Sequence, residues 1–294
     1  DYRNLAGSTQ AAAADVELEF CLAQQDPSGN PTTGINRVNI GQDGILEFST
    51  ADAQNQMDAL KPSTIWDRTY YMNMWTVKYR GSSGILGYAQ FPGGPANTDG
   101  VVSDYKYFGS SDYNDGSFIL SAPFDKGRTM THEVGHYFGL YHPFQGGSCT
   151  GAGDLCADTP AVDSPNYGCP VNHDSCPADG LGFDMVENFM DYTDDSCMDT
   201  FTNDQKARVV AALADATRVG LTTSNRCNPA GPTVIFGSTS PGTINEGSDC
   251  AYQDFTINLQ LTQGASASAT ASLSNAGTAT EGADFDLINN SVTF

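Results

Sequence analysis

The 294-residue chain contains 35 acidic and 13 basic residues, and its formal net charge at neutral pH is −22. A surface this acidic repels nucleic acid and anionic membranes, so we expect no nucleic-acid partner. No run of eighteen or more apolar residues occurs, so no membrane span is expected. The eight cysteines indicate an oxidising compartment outside the cytosol.

The first half of the chain predicts several strands and one helix. Alternating apolar and polar residues are typical of half-buried strands, and clusters of Gly, Pro, Asn and Asp separate the segments. The helix is predicted over residues 51–60, before Pro62. The predicted strands span residues 16–22, 35–40, 70–77, 84–91 and 100–108.

A histidine-rich motif follows these strands. His132 and His136 are four residues apart, so on a helix both imidazoles face the same side. Glu133 follows the first histidine and can reach a water molecule held by a shared metal ion. Gly139 favours the left-handed conformation that ends helices, and the chain can then return His142 as a third ligand. Three neutral imidazoles and one water form an open, catalytic type of zinc site.

The motif is more specific than two histidines on a helix. The chain has four histidines, and three of them lie in this motif. The alternative is a helix with incidental surface histidines, and the added glycine and third histidine argue against it. We expect the helix to begin near Asp125 or Arg128 and to end at Leu140, whereas His173 is expected on a surface loop.

A second motif, residues 187–192 (E-N-F-M-D-Y), contains Met190. Together with the extended histidine motif, it resembles the pappalysin family of metzincin metallopeptidases over residues 16–226. The resemblance implies an α+β catalytic domain. Its upper subdomain (about 15–142) would hold a twisted mixed sheet and the active-site helix. Its lower subdomain (143–228) would be rich in loops and stapled by disulfides.

The resemblance also implies roles for individual residues. His132, His136 and His142 would bind zinc, with Glu133 as general base. Met190 would pack beneath the metal in the Met-turn, which differs little from an ordinary core methionine. Tyr192, two residues later, would donate a hydrogen bond to the oxyanion; a purely structural tyrosine is the alternative.

In metzincins an edge strand above the cleft binds the substrate main chain, and pairing a peptide onto a sheet edge is a common recognition mode. An ordinary edge strand without a ligand is the alternative. The candidate residues here are Gly87, Tyr88, Ala89 and Gln90.

Relatives of this family prefer Arg or Lys directly after the scissile bond (P1′), which requires an acidic pocket. Asp194 and Asp195 follow the Met-turn and are the candidate floor of that pocket. Ser196 is the alternative occupant of the floor. The resemblance therefore predicts a basic P1′ preference.

The loop-rich stretch after His142 contains five of the eight cysteines. The resemblance implies the pairs Cys149–Cys176 and Cys169–Cys197. Four cysteines have no predicted partner, and one or more of them can be free thiols. A second zinc site is the alternative for the cluster, although it would require C-x-x-C spacing, which is absent. The four unassigned residues are Cys21, Cys156, Cys227 and Cys250.

Calcium is the second expected ion, because relatives bind it in the loops after the third histidine. Residues 153–160 supply carboxylates and carbonyls on a turning loop, which are the oxygen ligands that calcium prefers. The candidate ligands are Asp154, Asp158 and Thr159. The alternative is that the two aspartates only cap turns.

The last third of the chain predicts one helix and several strands. Thr202 and Gln205 form a capping box at the start of a helix that is expected to reach Arg218. We expect the peptidase domain to span residues 1–228 and a β-sandwich-like segment to span 229–294. Its end weakly resembles a Calx-β repeat, which is expected to be incomplete in this chain. The strands expected there span residues 233–236, 255–261 and 267–273.

These observations predict a secreted, monomeric zinc metalloendopeptidase that acts on proteins or peptides. The chain shows no nucleotide-binding loop or serine-hydrolase motif that would support another enzyme class. The alternative is a catalytically inert protein that binds a surface or a glycan, although an intact Glu133 argues against it. A latent zymogen is a third possibility, which the sequence preceding Asp1 would test.

Overall fold

This computed structural model describes residues 10–229 and the strand residues 234–236, 259–261, 270–272 and 291–293. The chain divides into two compact units, Asp1–Asn228 and Pro229–Phe294. Within the described residues, no helix is both long enough and apolar enough to cross a membrane.

A three-stranded mixed sheet forms the top of the first unit. It consists of β1 (Met74–Val77), β2 (Gly87–Ala89) and β3 (Val101–Asp104) in the order β1-β3-β2. β1 runs parallel to β3, whereas β2 is antiparallel to it and lies at the sheet edge. All three strands are shorter than the sequence predicts, and β3 passes directly into a single helical turn after Asp104.

Helix α1 (Thr50–Leu60) covers one side of this sheet, close to its predicted bounds. Its N-cap is Ser49, whose hydroxyl accepts a hydrogen bond from the Asp52 amide at 3.1 Å. Ala53 and Met57 on this helix are fully buried in a cluster with Val102 of the sheet. An apolar core therefore joins the helix to the sheet.

Helix α2 (Arg128–Tyr137) contains the histidine motif and is buried from its second residue to its last. It contacts β2 and β3, so the metal-binding motif lies directly beside the sheet edge. Val134, Tyr137 and Met190 belong to the largest apolar cluster of the unit. This packing makes α2 the central element of an α+β fold.

The predicted strands over 16–22 and 35–40 are wrong, since neither segment forms a strand. Glu17 has a φ of 60°, which interrupts the extended backbone. Val16 and Leu18 instead pack against the cluster around α2, and the Phe20 ring lies 6.5 Å from that of Phe138. The apolar and polar residues of this segment therefore alternate because one face packs on a helix, and the segment does not pair in a sheet.

Residues 143–202 form no helix and no strand beyond isolated bridges. Two disulfides, Cys149–Cys176 and Cys169–Cys197, lie in this stretch and are the pairs implied by the family resemblance. A third disulfide, Cys21–Cys227, joins the two ends of the first unit. Cys156 is a buried free thiol, and Cys250 lies outside the described residues.

Helix α3 (Asn203–Leu213) begins with the predicted capping box, in which the side chains of Thr202 and Gln205 bond each other's amides. It ends at Leu213, earlier than expected, and a separate short helix α4 (Val219–Thr222) follows. In the second unit, β4 (Val234–Phe236) pairs antiparallel with β5 (Leu259–Leu261), and β6 (Thr270–Ser272) with β7 (Ser291–Thr293). The Calx-β resemblance otherwise falls outside the described residues.

Candidate active site

Three imidazole rings converge beside helix α2. The Nε2 atoms of His132 and His136 are 3.1 Å apart, and that of His142 lies 3.2 Å from the first and 2.9 Å from the second. Gly139 enables this arrangement, because its φ of 85° ends α2 and turns the chain back toward the helix. The helix therefore ends earlier than the predicted Leu140.

The two histidines on α2 each form a hydrogen bond between Nδ1 and a backbone carbonyl. His132 Nδ1 lies 2.8 Å from the Phe189 oxygen, and His136 Nδ1 lies 2.8 Å from the Leu140 oxygen. These contacts favour the tautomer in which Nδ1–H donates and the Nε2 lone pair is free. A metal ion requires this orientation of its histidine ligands, so the three residues fit zinc.

Burial keeps these rings neutral. It lowers the pKa of His142 to about 3, and the charge of His136 acts in the same direction. Burial also lowers the pKa of His132 and His136. Among the described residues, this is the one group of three or more His, Cys, Asp or Glu side chains whose ligand atoms converge.

Glu133 lies on the same helix and faces the sheet edge at Gly87. Burial raises the pKa of its carboxyl to about 8, and a cation held by the neighbouring imidazoles would favour the ionised form. No group in the described part of the chain donates a hydrogen bond to this carboxylate. Its oxygens are therefore free to interact with water or substrate.

Met190 and Tyr192, both from the Met-turn segment, contact helix α2 and the histidines. Met190 is fully buried, and a side chain at Gly135 would strike its sulfur, so the glycine allows the Met-turn to pack directly against α2. The Tyr192 ring centroid lies 5.5 Å from that of His132 and 5.0 Å from that of His142. Tyr192 therefore stands beside the histidines with 38% of its surface exposed.

The edge strand presents its backbone rather than its side chains. The Tyr88 ring turns inward beneath the ammonium of Lys61, 4.5 Å from the ring centroid. The amide of Gln90 donates to Pro95 O at 2.8 Å and to Asp99 Oδ1 at 3.1 Å, and Ala89 packs against the core around α2. These contacts leave the outer main chain of β2 as its exposed feature.

The two candidate pocket carboxylates have different environments. Asp195 is buried, and its Oδ2 accepts hydrogen bonds from the amides of Lys126 at 2.7 Å and Arg128 at 3.1 Å. The N-cap of α2 is Gly127, which has no side chain, so Asp195 caps the helix start from a distant loop. Asp194 is half-buried and Ser196 is exposed.

The candidate calcium residues form a hydrogen-bonded turn. Both carboxylate oxygens of Asp154 lie 2.9 Å from the Thr159 hydroxyl, and one accepts from the Cys156 amide at 3.0 Å. Asp158 Oδ2 accepts from the Asp204 amide at the start of α3, while its Oδ1 is buried without a partner. Burial raises the pKa of Asp154 to about 6.

Several residues around the site were not predicted. The Phe144 ring stacks on His142 at 4.6 Å, and the Phe91 ring lies 5.2 Å from His136 and 5.4 Å from Tyr141. Tyr141 lies inside the histidine motif and Phe144 follows it closely, so both could have been found from their aromatic character. Phe91 lies 45 positions before His136 in the numbering and gives no local signal. His173, as expected, is half-exposed on a loop, 3.7 Å from Asp184.

A buried ion pair closes the far end of α2. Arg218 Nη2 donates to Asp99 Oδ1 at 2.9 Å, Nε donates to the Tyr137 carbonyl at 3.2 Å, and Nη2 also reaches Gln90 O at 3.4 Å. Both charged side chains are fully buried. Arg218 thus ties the end of the edge strand to the end of the metal-binding helix.

Comparisons with known proteins agree with this geometry. The family model described as pregnancy-associated plasma protein-A, peptidase family M43, matches residues 55–214. The extracellular metalloprotease of Pyricularia oryzae is 49% identical over 216 residues, which cover 71% of this chain and 72% of that protein. Extracellular metalloprotease 1 of Coccidioides posadasii is 47% identical over 140 residues, covering 47% of this chain and 48% of that protein.

Solved structures show the same similarity. Mature mirolysin of Tannerella forsythia in complex with a cleaved peptide has a TM-score of 0.59 and 38% identity, covering 71% of this chain and 76% of mirolysin. A promirolysin variant of that organism has a TM-score of 0.64 and 36% identity, and the match covers 79% of this chain and 76% of the promirolysin chain. The chain therefore belongs to the pappalysin family of metzincin metallopeptidases, peptidase family M43.

Proposed function

We propose that this metallopeptidase is a secreted endopeptidase that uses His132, His136 and His142 to hold zinc and Glu133 to move the proton. The observation that supports this most is the convergence of three free Nε2 lone pairs beside a carboxylate without protein donors. Zinc bound there would polarise the peptide carbonyl and lower the pKa of water. The extracellular names of the fungal relatives and three disulfides support secretion.

Glu133 accepts a proton from the attacking water and returns it to the leaving amine, which is general acid–base catalysis by one side chain. Tyr192, beside two of the histidines, donates a hydrogen bond to the developing oxyanion. Loss of such a donor typically lowers the rate by about 10²–10³-fold. Tyr192→Phe is therefore expected to reduce kcat by that factor and to leave zinc content unchanged.

The substrate main chain pairs with the free edge of β2 (Gly87–Ala89). The position of β2 at the sheet edge, beside α2, and the inward packing of Tyr88 support this mode. Only backbone groups would then contact the peptide here. Affinity at this strand should depend little on the substrate sequence.

The pocket beside the Met-turn selects a basic P1′ residue through Asp194, with Ser196 at its exposed rim. Asp194 is supported by its partial exposure, whereas the carboxylate of Asp195 is occupied by the start of α2. A peptide library should show Arg or Lys after the scissile bond, and Asp194→Asn should weaken that preference. Apolar P1′ residues in the cleavage products would refute this specificity.

A calcium ion binds the turn around Asp154, Asp158 and Thr159. The buried, unpartnered Oδ1 of Asp158 supports an additional ligand, because a buried carboxylate oxygen normally has a partner. Calcium should raise the thermal unfolding midpoint, and Asp158→Asn should reduce that increase. An equal response of the two proteins would argue that these residues only cap turns.

Digestion of an unfolded protein substrate tests the proposed activity. The purified chain should cut internal peptide bonds, lose activity with a chelator, and regain it when zinc is restored. Release of terminal residues alone would contradict an endopeptidase. If the zinc-loaded chain cleaved no unfolded or peptide substrate, the alternative of an inert binding protein would replace the proposal.

A further inference from the structure

Gly87, the first residue of β2, lies against the side chain of the proposed general base. A Cβ atom placed on Gly87 would be 3.0 Å from Glu133 Cγ, 3.3 Å from Glu133 Oε1 and 2.7 Å from the Val102 carbonyl oxygen. The φ of Gly87 lies outside the left-handed region, so backbone conformation does not require glycine here. Glycine is required because the Val102 carbonyl and the Glu133 side chain leave no space for a Cβ atom.

The strand cannot easily move to make room for a side chain at this position. Gly87 pairs with Ser103 of β3, and the preceding carbonyl of Leu86 accepts a hydrogen bond from the Asp104 amide at 2.8 Å. All four residues of β3 are buried. An added methyl group would therefore be confined between a fixed carbonyl and the glutamate.

Glu133 is the more mobile of the two neighbours. No described residue donates a hydrogen bond to its carboxylate, so packing determines where the carboxylate sits. Its Cγ and one carboxylate oxygen occupy the space that a side chain at Gly87 would need. A methyl group at this position is expected to displace the carboxylate along the cleft.

We propose that Gly87 is a positioning residue for Glu133: its missing side chain lets the carboxylate rest against the sheet edge. This inference builds on the proposed function, because Glu133 is taken as the base. It adds a role that differs from main-chain pairing with substrate. Pairing with substrate uses only the main chain of Gly87, whereas the contact with Glu133 depends on its missing side chain.

The test is Gly87→Ala in the zinc-loaded protein, measured with a cleavable peptide. The contacts at 3.0 and 3.3 Å require Glu133 to move by a few tenths of an ångström. A displacement of about 1 Å costs roughly 10²-fold in rate, so kcat is expected to fall several-fold, less than that limit, while zinc content is unchanged. Gly151→Ala is the matched control. Gly151 has an ordinary φ, and nothing lies nearer than 3.8 Å to its added Cβ, so kcat should be unchanged.

A second pair of variants separates the two roles of the strand. The Glu133→Ala background removes the contacts with the glutamate and leaves the one with the Val102 carbonyl. The change in peptide Kd on adding Gly87→Ala there measures the effect through the strand alone, which is expected to be smaller than the loss of kcat/KM in Gly87→Ala. An unchanged kcat in Gly87→Ala would overturn the inference. So would a loss of peptide affinity in the Glu133→Ala background as large as the loss of kcat/KM, because Gly87 would then act through the substrate strand.

Folding of the variants also decides the question. If Gly87→Ala does not fold but Gly87→Ala/Glu133→Ala does, the clash lies with Glu133 and the inference stands. If both fail to fold, the clash lies with the Val102 carbonyl and the inference is overturned. Absence of cleavage by the wild-type chain would instead contradict the proposed function, which keeps the two failures distinct.

Discussion

Residues 15–142 contain the sheet, α1 and α2, whereas residues 143–202 contain no regular element beyond isolated bridges. The first region is organised by apolar clusters that join helices to strands. The second, called here the loop region, is organised by two disulfides and by buried carboxylates that accept hydrogen bonds. Asp184, for example, accepts from the Ser175 amide at 2.9 Å and from the Asn166 amide group at 3.1 Å.

This difference shows how one site can be built from two kinds of structure. The sheet and α2 place two of the histidines and the glutamate on rigid elements. The loop region supplies Met190 and Tyr192, and it returns to α2 through Asp195 at the helix start. Both regions must therefore be intact for the histidines and the aromatic residues to meet.

The largest expected effect comes from breaking the ion pair that joins the end of α2 to the edge strand. Arg218→Ala leaves Asp99 as a buried charge, and breaking such a pair typically costs about 3–5 kcal/mol of unfolding free energy. Urea denaturation measures this loss. Arg68→Ala is the control, because Arg68 lies 3.6 Å from Asp99, is partly exposed, and its removal leaves Asp99 paired with Arg218, so a smaller loss is expected. Equal losses of unfolding free energy in Arg218→Ala and Arg68→Ala would contradict this role of the buried pair.

The second effect separates the loop region from the sheet region. The Cys149–Cys176 bond closes a loop with a sequence separation of 27, for which the chain-entropy model gives about 3.5 kcal/mol. Cys149→Ser/Cys176→Ser should allow proteolysis within residues 143–202 before the rest of the first unit is cut. Simultaneous digestion of both regions would show that the loop region is not stabilised separately.

The sequence predicted the parts of the site that depend on local patterns. The histidine spacing, the helix-ending Gly139 and the capping box at Thr202 are short-range signals, and each lies where expected. The partners of Cys149 and Cys169 could be predicted only from the family resemblance, since spacing alone leaves many possible pairings.

Other features had no local signal. Arg218 and Asp99 are separated by 119 positions, so only the fold brings them together. The hydrogen bonds from the Lys126 and Arg128 amides to Asp195 also join residues far apart in the chain, so no local pattern could have predicted them. The alternation over 16–22 was misinterpreted for a related reason: packing against a helix produces the same pattern as a half-buried strand.

One buried acid in each region has a shifted pKa, and the two shifts have opposite directions. Burial alone would raise the pKa of Glu47, but donors at Gly81 and Ser83 outweigh it and lower the pKa. Its stabilising effect is therefore present above pH ~4.5 and is lost as the pH falls. Burial raises the pKa of Asp195 above its ordinary value, despite hydrogen bonds from the Lys126 and Arg128 amides. Its ionised form is therefore the less favoured one in the folded protein.

Glu47→Gln and Asp195→Asn should show opposite pH dependence in thermal unfolding. The difference in thermal unfolding midpoint between the wild type and Glu47→Gln should grow as the pH rises from 4 to 7. The difference in unfolding midpoint between the wild type and Asp195→Asn should shrink across the same range, because the folded wild type holds the Asp195 proton more tightly than the unfolded chain. Parallel pH curves for the two variants would contradict the assigned environments.

The smallest expected effect concerns α3, which follows the loop region. Thr202→Ala removes the N-cap of the capping box and should cost about 1 kcal/mol of unfolding free energy. Thr222→Ala is the control, because its exposed hydroxyl contacts only the Val219 carbonyl, and such surface changes usually stay within about 0.5 kcal/mol. A similar loss in both variants would show that the cap contributes little.

The central claim is that three histidines hold zinc and Glu133 performs the proton transfer. The most direct measurement combines zinc content and peptide cleavage in Glu133→Ala. We predict one zinc per chain in both proteins and a loss of kcat of at least about 10²–10⁴-fold in the variant. Retention of wild-type kcat by Glu133→Ala, with zinc bound, would contradict the account.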